Sequence, residues 1–372
     1  MEIRIAKKLN IETSLLGFGC MRLPMKDGVI DYAETERMLD TAWDAGVNYF
    51  DTAYVYHGGK SEGVMGPILK KHPRDKFYVA DKMPVWMPKT PDDLDRIFNE
   101  QLERLGLDYI DFYLMHSMTT EHWADVQRLD MLRFAEKKRA EGKIKYIGFS
   151  FHDTPELFAE IVDAYDWDFA QIQYNYLDEK GQRAEELYKM LEDRGLFTVV
   201  MEPVRGGDLA SLPDQAGNLL KQAASDRSLA SWALRYVGSK PGVNVILSGM
   251  SDPAQVRDNL QTFSHFDPLD KQERTVLAQA VDVLAQIPQI ACTGCQYCMP
   301  CPVGVDIPGN FDFYNSIQKF GANPGRVRRW GMLDKKYDAC VACGACLSKC
   351  PQHLAIPDEL KKLADVAAVL HG

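Results

Sequence analysis

Between residues 15 and 250, short apolar runs alternate with longer amphipathic stretches, and the alternation repeats eight times. The runs are LLGFGC (15–20), NYFDTA (48–53), FYVADK (77–82), IDFYLMH (110–116), IKYIGFS (144–150), FAQIQYN (169–175), FTVVMEP (197–203) and NVILSG (244–249). Most are near-continuous apolar strings, the pattern of parallel strands buried on both faces. Stretches such as 31–46, 91–106 and 181–195 carry helical periodicity, with Pro, Asp or Ser near their starts and Gly near their ends. Eight such units in about 240 residues predict an α/β fold closed as a (β/α)8 TIM barrel rather than an open doubly wound sheet. EIRIAKKL (2–9) and ETSLL (12–16) predict a hairpin plugging the lower end, and a further helix is expected over 268–286. The expected division is a barrel over 1–265, a connecting helix over 266–288 and a small C-terminal domain over 289–372.

Composition changes this picture little. Hydrophobic residues are 46% of 372 and charged residues 26%, enough for a sizeable core. A net charge of −10 argues against a nucleic-acid or anionic-membrane surface. The opening MEIRIAKKLN lacks an apolar stretch of signal-peptide length, and nothing approaches the roughly 18 apolar residues of a membrane span. A cytoplasmic location is therefore expected. Cysteine usage matters more: eight of nine lie after residue 290, with Cys20 alone upstream. In a reducing compartment such thiols serve as metal ligands rather than disulfides.

In a closed barrel the chemistry sits at the C-terminal ends of the strands. The second strand ends in FDTAYVYHGG, presenting Asp51 and then Tyr56; the third ends at Lys82 and the fourth at His116. These residue types suit carbonyl reduction. When hydride adds to the carbonyl carbon, charge develops on oxygen and a positioned acid must donate a proton. A free tyrosine, with a pKa of about 10, does so sluggishly at neutral pH. A nearby ammonium lowers that pKa, and a buried ammonium needs a carboxylate to stay charged. Tyr56 is the expected acid, Lys82 its tuner, Asp51 the lysine's partner and His116 the donor that orients the carbonyl oxygen. Any one of them alone would read as structural; four at successive strand ends read as a site.

With these motifs, GFGCMRL at the first strand and IGFS at the fifth, residues 3 to 265 resemble the aldo-keto reductase family. The resemblance implies a barrel that binds NADP(H) or NAD(H) without a Rossmann unit, a small carbonyl or alcohol substrate, and a tetrad at Asp51, Tyr56, Lys82 and His116. It also implies that SGMSDPAQVRDNL (248–260) is the phosphate and adenosine segment of a potassium-channel-beta-like branch, with Gly249, Ser251, Gln255 and Asn259 at matching positions. Backbone N–H groups after a strand and at a helix start do seat anions, although Ser251 and Asp252 read equally as a plain helix cap. Many relatives carry arginine where Gln255 stands, and a guanidinium clamps a 2′-phosphate, so the choice between NADPH and NADH stays open. Ser150 and Gln171 match positions that hold the nicotinamide amide. Met201 replaces the usual stacking aromatic, Glu202 follows it, and PVRGG (203–207) fits a pyrophosphate-covering loop. Cys20 reads as a packing residue. Loops 22–30, 83–90, 117–123 and 204–224 are expected to set substrate choice, with Trp86 and Trp123 as candidate pocket walls.

In the tail, Cys292, Cys295, Cys298 and Cys301 stand at C-x2-C-x2-C-x2-C-P, and Cys340, Cys343, Cys346 and Cys350 at C-x2-C-x2-C-x3-C-P. The second run matches the bacterial ferredoxin pattern, whose fourth cysteine serves the other [4Fe–4S] cluster. The wide gap between runs is similar to helical ferredoxin domains of respiratory and heterodisulfide-reductase subunits. The resemblance implies one cluster on Cys292, Cys295, Cys298 and Cys350, and a second on Cys340, Cys343, Cys346 and Cys301; paired four-cysteine zinc sites are the rival reading. A hydride enzyme with one-electron centres poses a mismatch, since a nicotinamide moves two electrons at once. Three readings follow. The barrel reduces carbonyls with NAD(P)H while the clusters serve a ferredoxin or flavoprotein partner; or the clusters feed electrons singly to a substrate in the mouth; or the protein is a non-enzymatic redox sensor.

Overall fold

Residues 1–181, 183–292, 294–322 and 324–371 are described by the computed structural model. The hairpin comes first, β1 (Ile3–Ala6) against β2 (Ile11–Ser14), with Ile3 opposite Ser14. The first barrel strand, β3 (Leu16–Gly19), is followed by a short ribbon, β4 (Met25–Lys26) and β5 (Val29–Ile30). The other barrel strands are β6 (Tyr49–Asp51), β7 (Tyr78–Met83), β8 (Ile110–Met118), β9 (Ile144–Phe151), β10 (Phe169–Gln173), β11 (Phe197–Met201) and β12 (Val243–Ser248). All eight pair in parallel, and β12 closes onto β3.

The apolar runs close because both of their faces find cover. Inward side chains of Tyr49, Phe112, Phe169, Phe197 and Val245 fill the barrel, and Ala6 of the hairpin joins that cluster, plugging the N-terminal end as expected. Outward side chains such as Phe50, Val79, Tyr113 and Phe149 meet the surrounding helices. The helix Pro91–Leu105 shows why such segments start and stop where they do. Thr90 and Asp93 form a capping box, Pro91 occupies the first turn, and Gly106 ends the helix at φ 63°. Gly148 in β9 is required by close approach: a Cβ there would lie 2.6 Å from the Phe169 backbone oxygen.

The chain divides into two units, Met1–Ala210 with Asp226–Lys271, and Ser211–Ser225 with Gln272–Gly372. The expected loop over 204–224 thus contains a helix, Asp214–Ala223, that groups with the second unit. That unit also holds the helices Lys271–Ala285, Ile307–Phe320, Pro324–Gly331, Ile356–Lys361 and Leu363–His371. Its small core is built from Val305, Ile307, Phe311, Phe313, Trp330, Ile356, Leu360 and Leu363. Phe313 stacks on Trp330 at 4.4 Å. The chain entering the first cysteine run is tied down by Asn315, which accepts from Ile290 N and donates to Ile290 O, both at 2.8 Å. Among the described residues no helix is long and apolar enough to cross a membrane.

Candidate active site and cysteine cavities

Strand register brings the four expected residues to one mouth. Asp51 is the last residue of β6 and Lys82 lies near the end of β7, which pairs beside it. Lys82 is completely buried, and its Nζ lies 2.7 Å from Asp51 Oδ1 and 2.6 Å from the Thr52 carbonyl oxygen. The ammonium also sits 4.8 Å from the centre of the Tyr56 ring. His116 meets the same ring edge-on at 6.0 Å. Its placement depends on an irregularity in β8, where the register against β9 shifts between Met115 and Met118 and Ser117 takes φ 58°. Such bulges re-aim side chains. The Ser117 amide, turned out of the ladder, donates to Ser150 Oγ at 2.7 Å.

Electrostatics assign each group a protonation state. Burial works against charge on Lys82, but Asp51 and then Tyr56 overcome it, so the ammonium persists above its ordinary range. Burial pushes the Asp51 carboxyl up while contact with Lys82 restrains that rise. The expected net lowering of Tyr56 is corrected here. Burial raises its phenol more than Lys82 lowers it, leaving Tyr56 protonated at neutral pH. Burial, followed by Lys82, His152 and His122, holds His116 well below the usual histidine range and therefore neutral. A neutral imidazole can donate a hydrogen bond without giving up its proton to solvent.

The remaining expected positions surround this mouth. Gln171 is buried in β10; its Nε2 lies 3.3 Å from Met201 Sδ, and its Oε1 has no hydrogen-bond partner among the described residues. His116 Nδ1 is likewise buried without one. Orphaned buried polar atoms beside the strand ends suit a polar ligand. Asn259 turns back to donate to Ser248 Oγ at 2.8 Å, pinning the end of β12 to the helix Pro253–Ser264. Gly249 leaves room for Arg22, whose side chain would lie 3.2 Å from a Cβ there. Ser251 N donates to Gln255 Oε1 at 2.9 Å, while Gln255 Nε2 donates to the capping Asp252 at 2.7 Å. Trp86 packs against His116 and His122, each at 5.3 Å. Trp123 instead is buried and donates to Glu160 at 3.0 Å, which makes it rim packing. Cys20 is fully buried against Met65 and burial drives its thiol up, in keeping with packing.

Two features escaped the sequence reading. Arg22, after β3, pairs with Glu202, after β11, at 3.0 Å and so straps the ends of non-adjacent strands. Behind Lys82, on the opposite face of β7, Asp81 faces Glu62, and both are fully buried. Asp81 Oδ1 accepts from Lys82 N at 2.8 Å and Glu62 Oε2 from Arg104 at 2.9 Å. Burial, then the charge of Glu62, pushes the Asp81 carboxyl well above the usual carboxylate range. No sequence motif marks this pair, because it exists only where one helix crosses one strand.

In the second unit the cysteines gather in two sets. One cavity is lined by Cys292, Cys295, Cys298 and Cys350, with Ile307 and Phe311 as apolar walls. Another is lined by Cys301, Cys340, Cys343 and Cys346, with Val305 and Leu360. Each set takes three thiols from one run and the last of the other. Among the described residues no group of three or more His, Cys, Asp or Glu is placed to share a single ion.

This geometry has close counterparts. Residues 15–282 match the aldo/keto reductase family model. The chain belongs to the aldo/keto reductase family. With membership comes the enzyme class, oxidoreductase. Residues 291–355 match a 4Fe–4S dicluster domain. The chain is similar to D-threo-aldose 1-dehydrogenase of a Pseudomonas species, 28% identical over 291 residues that span 66% of this chain and 88% of that one. It is similar to the NADH-specific methylglyoxal reductase of Escherichia coli, 27% identical over 305 residues, 68% of this chain and 90% of the other. Among solved structures, an aldo-keto reductase from Bacillus halodurans in its holo form superposes with a TM-score of 0.63 at 28% identity, covering 75% of this chain and 96% of that one.

Proposed function

We propose that the barrel reduces an aldehyde or ketone, or oxidises the corresponding alcohol, with NAD(P)H, Tyr56 acting as general acid. The observation that carries this reading is the buried Lys82–Asp51 pair set against Tyr56, with neutral His116 edge-on to the phenol ring. A nicotinamide supplies or accepts the hydride when bound. Tyr56 holds the proton that the carbonyl oxygen needs as charge develops on it, and His116 offers an N–H that orients that oxygen. Lys82, already engaged by Asp51 and Thr52, keeps its charge beside the phenol and stabilises the phenolate left behind. Ser150 and Gln171 would hold the nicotinamide amide: the unused Oε1 of Gln171 accepts, and the hydroxyl hydrogen of Ser150 donates. Gly249, Ser251, Gln255 and Asn259 would border the phosphate and adenosine end. The test is nicotinamide oxidation with a panel of small aldehydes and ketones under anaerobic conditions; turnover with dithionite and no nicotinamide would replace this reading with a cluster-fed one.

Gln255 bears on which nicotinamide is used. Its amide closes onto Ser251 and the Asp252 carboxylate, so position 255 presents an amide beside one negative charge rather than a guanidinium. That arrangement disfavours a 2′-phosphate and supports NADH as the preferred cofactor. Gln255→Arg is expected to improve kcat/KM for NADPH relative to NADH by about tenfold or more, in the range of one charge-assisted bidentate contact. An unchanged ratio in steady-state kinetics would remove Gln255 from the specificity determinants.

The eight tail cysteines hold two [4Fe–4S] clusters in this proposal, one per cavity, for exchange of electrons with a partner carrier. Clusters of this kind store and pass single electrons when bound. Support comes from the three-plus-one distribution of thiols about each cavity. Cys350→Ala is therefore expected to remove the cluster of the Cys292 set while sparing the other, although it belongs to the second run. Iron content should fall by about half, and the EPR signal of the reduced protein should simplify from two interacting centres to one. Loss of the other centre instead would reverse the assignment.

A further inference from the structure

Lys82 lies where its strand loses a neighbour. β6 ends at Asp51, opposite Ala80 of β7, and the Ala80 carbonyl oxygen accepts from Thr52 N at 2.9 Å. Backbone groups alternate sides along a strand, so the amide and carbonyl of Lys82 turn to the same side as those of Ala80, past the end of β6. Side chains take over there. Asp81 Oδ1 accepts from Lys82 N at 2.8 Å, and Gln101 Nε2 donates to the Lys82 carbonyl oxygen at 3.0 Å. Gln101 is fixed in turn by Tyr113, whose hydroxyl donates to its Oε1 at 2.7 Å, and both are completely buried.

Asp81 has a second neighbour in Glu62. The two carboxyl groups are fully buried and within hydrogen-bond reach of each other. Asp81 Oδ1 is taken by Lys82 N, and Glu62 Oε2 by Arg104 at 2.9 Å. That leaves Asp81 Oδ2 and Glu62 Oε1, each buried without a hydrogen-bond partner among the described residues. Two carboxylate oxygens brought together have no donor between them and repel unless one carries a proton. The charge count agrees. The cations that bear on the pair are Lys82 and Arg104. Lys82 is already engaged by Asp51, and Arg104 is shared with the partly exposed Glu100 at 3.1 Å. Two full negative charges here would lack a counter-ion, and buried charges are paired.

We infer that Asp81 and Glu62 share one proton, Asp81 Oδ2–H donating to Glu62 Oε1, and that Asp81, Glu62 and Gln101 are positioning residues for Lys82. The pair then carries a single negative charge, held toward Arg104. Lys82 gains a fixed acceptor for its amide without a second carboxylate charge drawing its field away from Tyr56. This role rests on the reading of Lys82 as the partner of Tyr56 in carbonyl reduction.

The test uses the full-length protein, with infrared spectroscopy at neutral pH and steady-state carbonyl reduction on the same preparations. Wild type minus Asp81→Asn, and wild type minus Glu62→Gln, should each show the C=O band of a protonated carboxyl group that shifts in deuterium oxide. Asp81→Leu is expected to lower kcat by about tenfold or more with KM within about twofold, because Lys82 loses its amide acceptor. Gln101→Met frees the carbonyl instead and should act in the same direction. Asp81→Asn, whose amide can donate to Glu62 as the protonated carboxyl does, is expected to rescue most of the loss seen in Asp81→Leu. It should also leave the alkaline decline of activity where it stands. That decline reads the charge, since Tyr56 feels Asp81. Were both carboxyls ionised, Asp81→Asn would remove a negative charge and bring the decline to lower pH. No such band, a decline that moves in Asp81→Asn, or kcat untouched in both Asp81→Leu and Gln101→Met overturns the inference. Wild-type protein that shows the band but no nicotinamide-dependent turnover would instead sink the reduction reading and the positioning role with it, while the shared proton stands.

Discussion

Tyr56→Phe is expected to reduce kcat for nicotinamide-dependent carbonyl reduction by about 10²- to 10⁴-fold, the usual contribution of a positioned proton donor. The substitution removes one oxygen and leaves the ring that packs beside Lys82 and His116. Nicotinamide binding, read by fluorescence or calorimetry, should stay within about twofold because no expected cofactor contact is lost. The wild-type pH profile provides a second check. Burial holds the Tyr56 phenol above its ordinary value, so the proton it must donate is present throughout the neutral range. Reduction should therefore remain flat through neutrality and decline only in alkaline solution as Tyr56 ionises. A decline beginning below pH 7, or full activity in the phenylalanine variant, would assign the acid to another group.

Lys82→Met carries the second large effect, and it falls on stability as well as activity. Removing one partner from a buried ion pair leaves the other charge unsatisfied, at a cost of about 3–5 kcal/mol. Asp51 would keep its burial and lose its principal counter-charge, and the Thr52 carbonyl would lose its donor. The single variant should unfold at markedly lower denaturant concentration. Lys82→Met combined with Asp51→Leu should recover much of that stability, because two apolar side chains of similar volume replace the pair. The double variant should still lack turnover, since nothing remains to stabilise the Tyr56 phenolate. A double variant as unstable as the single one would show that packing, not the unpaired carboxylate, dominates.

The barrel was legible because its strands are buried on both faces, so Ile110–Met118 or Phe197–Met201 appear as unbroken apolar runs bounded by helical periodicity. The tetrad was legible because strand ends converge in any closed parallel barrel, making position along a strand a guide to position in space. What could not be read depends on apposition. The helix Asp214–Ala223 runs unbroken through a buried Gly217 inside the stretch expected to be a loop. The net direction of the Tyr56 shift turned on burial, which no local pattern reveals, and it outweighed the nearby ammonium that the motif does reveal. The Asp81–Glu62 contact and the Arg22–Glu202 strap each join residues brought together only by folding. Gln255 was visible as a departure from the family's pattern, but its engagement with Ser251 and Asp252 was not.

The crossed membership of the two cavities has a consequence for how the tail is made. Cys350 completes the wall begun by Cys292, and Cys301 completes the wall begun by Cys340. During synthesis, neither enclosure can shut until the last run has left the ribosome, so a nascent barrel exists for some time with every tail thiol uncommitted. Both enclosures therefore wait on residues 340–350, and a chain that stops short of them leaves both open.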